Sequence, residues 1–189
     1  MANHRPDEVL AFWFGKGADY GKRHKRWFEK DAALDAEIAA RFGELHSRLS
    51  ASDEWLDPAR ACLARILVLD QFPRHIHRGR SQAFASDALA LAAARHALER
   101  GYDRGLLPVE RLFVVLPFEH SERLEDQDRA CALCQPLGAF AETDDAYRYA
   151  LAHRDVIRRF GRFPHRNASL GRESTPEELE FLKQPGSSF

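Results

Sequence analysis

From Asp31 onward, Leu34, Ile38, Phe42, Leu45 and Leu49 recur at spacings of three and four with charged residues between them, the pattern of a helix with one apolar face. The same spacing returns along most of the chain. No stretch alternates apolar and polar residues with period two over β-branched positions, so nothing supplies a half-buried strand. The predicted fold class is therefore all-α, with seven or eight helices packed as antiparallel hairpins around one core. A chain of 189 residues buries roughly 70% of its unfolded surface as one domain and is too short for two, so 1–189 reads as a single unit.

Glycine, proline and capping residues divide the pattern. Pro6-Asp7-Glu8 makes a good first turn for a helix that Gly15 closes, and Trp27 and Phe28 are expected to dock the start of the second helix against the core. Asp57-Pro58 reads as a capping side chain before a proline at the first helical position, and Pro73 as the stop of that helix. Ser86-Asp87 caps an alanine-rich helix, whose small residues suit close approach of a neighbour. Pro108 opens a strongly apolar helix that Pro117 kinks or ends, and Ser121-Glu122 opens the next. A helix over 144–160 follows, then a short one from Thr175-Pro176-Glu177-Glu178, and a frayed tail from Gln184 to Phe189.

Charge narrows the function classes. Lys plus Arg number 28 against 29 Asp plus Glu, so no chain-wide surplus attracts nucleic acid or a membrane, and any anion site must be local. An arginine-rich run over Arg148 to Arg172 is diluted by four glutamates between Glu173 and Glu180, which keeps RNA an unfavoured partner. Met1 to Pro6 shows no signal pattern, and the longest apolar run, Leu112 to Phe118, is far below the ~18 residues of a membrane span. Three cysteines, two of them in one Cys131-x-x-Cys134 pair, make a poor disulfide framework, so a reducing cytoplasm is the expected setting.

The densest chemistry lies between His153 and Arg172. A helix ends at Phe160, Gly161 is placed as its C-terminal cap, and Pro164 prevents its resumption. The turn then presents Arg162, His165, Arg166, Asn167 and Arg172, planar cations and an amide suited to a phosphate or carboxylate. His153 falls on the apolar face of the preceding helix with Tyr149, Val156, Ile157 and Phe160. The competing reading is structural, because arginines after a helix end also satisfy its last carbonyls.

A second stretch repeats this arrangement. Asp70-Gln71-Phe72-Pro73-Arg74 runs on to Arg78, and Phe72-Pro73-Arg74 parallels Phe163-Pro164-His165-Arg166, so two matching turns are expected to converge on one ligand. Their bland alternative is pairing of the arginines with carboxylates such as Asp70 or Glu119. A third stretch, Glu119-His120-Ser121-Glu122, offers His120, held by Glu122, as a general acid or base. The candidate set is His120, Glu122, His153 and His165 for proton transfer, and Asp70, Gln71, Arg74, Arg78, Arg162, Arg166, Asn167 and Arg172 for ligand binding. His75-x-His77 is a weak metal signal and no metal site is expected; the residues specify no cofactor. A peptide or protein partner is the alternative to a small anion.

Four motifs carry a resemblance: Val9-Leu10-Ala11-Phe12-Trp13-Phe14-Gly15, Asp70-Gln71-Phe72-Pro73-Arg74, Leu116-Pro117-Phe118-x-His120-Ser121-Glu122, and Phe160-Gly161-Arg162-Phe163-Pro164-His165-Arg166-Asn167 continuing to Leu170-Gly171-Arg172-x-Ser174-Thr175. On these the chain resembles the bacterial domain of unknown function 924 family along nearly its whole length. The resemblance implies an all-helical, tetratricopeptide-like fold and no established activity. The family pattern has asparagine and an aromatic residue in place of His75 and His77, and an apolar residue in place of Glu119. His120, His153, His165, Arg74, Arg162 and Arg166 match it.

Overall fold

A computed structural model describes residues 4–187; the start of the Met1 to Pro6 stretch, 1–3, and the end of the expected tail, 188–189, lie outside the described residues. The helices are α1 (Pro6–Phe14), α2 (Ala32–Ser50), α3 (Ala59–Asp70), α4 (Phe72–Ile76), α5 (Asp87–Glu99), α6 (Pro108–Glu119), α7 (Leu124–Cys134), α8 (Ala146–Phe160), α9 (Asn167–Leu170) and α10 (Pro176–Leu182). Short 3-10 turns lie in five of the connections, and no strand occurs among the described residues. The expected all-α class holds. The helices in excess of eight are α4 and α9, single turns too short to show a period.

The centre is set by two runs buried on all sides and apolar but for Arg65 in the first, whose Nη1 donates to the Glu54 carbonyl. In α3, Cys62, Leu63, Ala64, Ile66, Leu67, Val68 and Leu69 are all buried, and in α6 so are Phe113 through Pro117. A helix without a polar face can only be surrounded. Accordingly α3 packs on α1, α2, α5 and α6, and the Ala90, Ala93, Ala94 and Ala97 face of α5 is buried where that helix runs along it. A smaller apolar cluster of Val156, Ile157 and Phe163, covered by Phe160 and Phe181, joins α8 to α10.

Several boundaries differ from expectation. Pro73 does not stop a helix; it lies in the first turn of α4, where its missing N–H leaves no hydrogen bond unmade. Helix α3 begins at Ala59, and Asp57 accepts hydrogen bonds from Tyr102 and His96 instead of capping it. Pro117 sits inside α6, which continues to Glu119. Ser121 and Glu122 precede α7 without capping it: Ser121 Oγ donates to Asp126, and Glu122 reaches across to Arg172. Trp27 is buried as expected, but Phe28 is 55% exposed, and Tyr149 is 44% exposed at the edge of the α8 face. No helix among the described residues is long and apolar enough to cross a membrane.

Candidate functional site

The three sequence stretches meet where the ends of α3, α6 and α8 come together with the turn that follows α8. Asp70, the last residue of α3, is fully buried, and its Oδ1 lies 2.6 Å from His120 Nδ1 at the end of α6. Gln71 Nε2 donates to the other oxygen at 2.5 Å. Burial by itself would raise the Asp70 carboxyl, but the charge and hydrogen bond of His120 outweigh it and hold the group below the usual carboxylate range. An ionised Asp70 accepts from Nδ1, so Nε2 is the ring nitrogen left for another partner. The His120 side chain is 17% exposed, the open member of a closed pair.

From His120 the cluster continues through rings in tilted and edge-to-face contact. The His120 and His153 centroids are 6.4 Å apart, those of His153 and Phe163 5.8 Å, and those of Phe163 and His165 5.5 Å. Burial lowers His153 to about 3 and His165 to about 4, so both imidazoles are neutral near pH 7.

The two Phe-Pro turns converge on a carboxylate that reads in sequence as a helix cap. Asp87, the first residue of α5, accepts from Arg74 at 2.9 Å and from Arg166 at 3.4 Å through the same Oδ2. Both guanidiniums lie over Phe84, at 4.6 Å and 4.8 Å, and Arg166 also lies over Phe163 at 4.5 Å. Stacking fixes each plane and leaves its edge for hydrogen bonding. The Arg166 side chain is only 7% exposed and its Nε has no hydrogen-bond partner among the described residues; burial lowers its pKa to about 10. Burial also raises the Asp87 carboxyl, against the pull of Arg74.

The remaining candidates hold the turn in place. Arg162 donates two hydrogen bonds to the Glu178 carboxylate at 2.7 and 2.8 Å and one to the Glu173 carbonyl. Arg172 pairs with Glu122 at 2.7 and 3.0 Å and donates to Asn167 Oδ1 and the Phe163 carbonyl. Glu122 also accepts from the Phe163 N–H, so it steers the turn and not His120. Asn167 donates to Ser174 and Glu178, and Arg78 is committed to Asp35 of α2. Thus Arg78, Arg162, Asn167, Arg172 and Glu122 spend their polar groups on the scaffold. Asp87, Phe84 and Phe163 stand outside the candidate set, and the Phe-Pro repeat is the one sequence signal for the last of them.

A deeper group stands behind the site. Glu119 is buried, accepts from Cys134 Sγ at 3.2 Å and lies 3.4 Å from His153 Nδ1, which also contacts the Tyr149 carbonyl at 2.9 Å. Burial raises this carboxyl to about 7. His75 pairs with Asp35, and no group of three or more ligating side chains among the described residues is arranged to hold a metal ion. A cavity of about 780 Å³ lies elsewhere, between α1 and α2 beside Phe12, Arg26 and Arg41, and one of about 320 Å³ lies beside Arg95 and Phe118. Neither is lined by the His120 and Arg166 cluster.

The fold and this cluster define a helical protein with a histidine–aspartate pair beside stacked arginines. The chain belongs to the DUF924 family of bacterial proteins of unknown function, whose model matches residues 9–186. A solved structure of ATU0120 from Agrobacterium tumefaciens, a protein of unknown function, is 41% identical over 95% of this chain and 97% of that one, with a TM-score of 0.83. No curated protein matches the chain.

Proposed function

We propose that this chain binds a small anionic molecule, a phosphate or carboxylate compound, at the Arg74 and Arg166 pair, and that His120 moves a proton there, as hydrolysis by an activated water requires. One observation carries the reading: two guanidiniums, each fixed on an aromatic face, share a single carboxylate, Asp87, next to an imidazole oriented by Asp70. The Nε of Arg166 keeps a donor beyond the one given to Asp87, in a half-buried place where charge-assisted hydrogen bonds are strong. His120 is within the same ring of contacts, and its open nitrogen is the one that would accept a proton. Three free, buried cysteines fit a cytoplasmic setting.

The test is a thermal-shift series with inorganic phosphate, phosphorylated metabolites and dicarboxylates on the wild type and Arg166→Lys. A compound that binds only the folded chain adds about 2.7 kcal/mol at a hundred times its dissociation constant, a readily measured shift. Lysine keeps the charge but loses the planar fork, so the shift should fall or vanish in the variant. If no anion moves the wild-type transition and Arg166→Lys merely melts lower, the cluster is scaffolding and the reading fails.

A further inference from the structure

Resting on the anion site just proposed, we infer that the chain accepts a phosphoryl group on His120 Nε2 from a small acyl phosphate or phosphoanhydride. Three features of the cluster lead there.

The first is the choice of nucleophile. Among the described residues the nearby hydroxyls and thiols are engaged in other directions: Ser121 Oγ donates to Asp126, Ser86 Oγ to the Leu69 carbonyl, and Cys134 Sγ to Glu119. His120 has its Nδ1 held at 2.6 Å by a fully buried carboxylate that Gln71 in turn fixes, so the ring is oriented and Nε2 is the nitrogen that can attack. A histidine so held is an activated nucleophile as well as a base.

The second is the shape of the cationic wall. A carboxylate has two oxygens, and Asp87 already supplies one such group to Arg74 and Arg166 from within the protein. Arg74 also donates to the Ala83 carbonyl, and donors remain on the two forks that share the Phe84 ring, among them the buried Nε of Arg166, which has no hydrogen-bond partner among the described residues. A phosphoryl group in transfer spreads charge over three peripheral oxygens and takes donors from two forks at once.

The third is the leaving group. His153 and His165 are neutral and Asp87 is committed to two arginines, so these groups offer no proton to a departing alkoxide. The donor that suits the site releases a group stable as an anion. With acetyl phosphate the Nε2 lone pair attacks phosphorus, the phosphorus–oxygen bond breaks, and its electron pair leaves on acetate. Nδ1 retains its proton against Asp70, and that ion pair stabilises the phosphorylated imidazolium. Water then attacks phosphorus, the phosphorus–nitrogen bond breaks, its electrons return to Nε2, and dihydrogen phosphate departs with both protons of the water.

The experiment incubates the purified full chain with acetyl phosphate, quenches in alkali and measures intact mass, with inorganic phosphate thermal shift run in parallel. The expected result is a gain of one phosphoryl group that brief acid treatment removes and that peptide fragmentation places on His120. Labelling should be absent in His120→Gln, unchanged in His77→Gln and slowed at least tenfold in Asp70→Asn, which loses the fixed tautomer. Should His120→Gln fail to fold, the position of the label in the wild-type chain decides. Label on any other residue overturns the inference. A phosphate shift without label also overturns it while leaving the anion site standing, and absence of both removes both.

Discussion

Asp87 bridges Arg74 and Arg166 through one oxygen, and it is the residue whose role the sequence least announces. Ser86-Asp87 before an alanine-rich run looks like a helix cap, yet neither side chain caps α5: Ser86 Oγ reaches the Leu69 carbonyl at 2.6 Å and Asp87 turns to the arginines. If the carboxylate holds the place of a ligand, Asp87→Asn should lower the melting temperature of the free chain by the equivalent of about 1–3 kcal/mol, because two guanidiniums lose their counter-charge. Inorganic phosphate should then restore more stability to the variant than it adds to the wild type. A variant that is destabilised and indifferent to phosphate would count against the site. The same residue shows where local reading runs out: which arginines clamp and which remain available depends on acids 16, 43, 50 and 79 positions away. Arg162 with Glu178, Arg78 with Asp35 and Arg172 with Glu122 are set by the packing of whole helices, which no residue type or spacing encodes.

Elements were far more legible, because their signals are local. Period and caps locate α2, α8 and α10, and Thr175 opens the last of these with a capping box, its side chain accepting from the Glu178 N–H at 3.2 Å while Glu178 accepts from the Thr175 N–H at 2.8 Å. The unreadable elements were α4 and α9, each a single turn. Gly161 ends α8 in the left-handed region, with φ of 68°, and directs the chain into the Phe163–Arg166 turn. A β-carbon there would meet no atom within 4 Å, so substitution acts through the backbone alone. Gly161→Ala should therefore cost about 1–2 kcal/mol by urea denaturation, and Gly161→Asn clearly less, since asparagine tolerates the left-handed region. Equal losses in both variants would mean that the turn reads the missing side chain and not the dihedral angle.

At the scale of the molecule, the buried groups behind the site set how stability follows pH. His153 and His165 are depressed from 6.5 to about 3 and about 4 by burial, so below pH 6.5 the unfolded chain takes up protons that the folded chain refuses. Their contribution is complete above 6.5 and is lost as pH falls toward those values. Glu119 has the opposite sign. Burial, helped by the charge of Asp70, raises it from 4.5 to about 7, so between those values the folded chain keeps a proton that the unfolded chain releases. Stability declines as pH rises through that window, and the decline is complete above 7. Two histidines outweigh one glutamate below 6.5, and Glu119 acts alone just above it, which places the optimum from these groups near pH 6.5 to 7. Glu119→Gln keeps an acceptor for the Cys134 thiol and removes the titration. It should match the wild type near pH 4.5 and exceed it at pH 8, by up to about 3 kcal/mol at 1.36 kcal/mol per pKa unit. Urea denaturation at the two pH values checks this. Destabilisation of the variant at pH 8 would instead mean that Glu119 is ionised against a protonated His153, and the proton on that buried pair would then sit on the imidazole nearest His120.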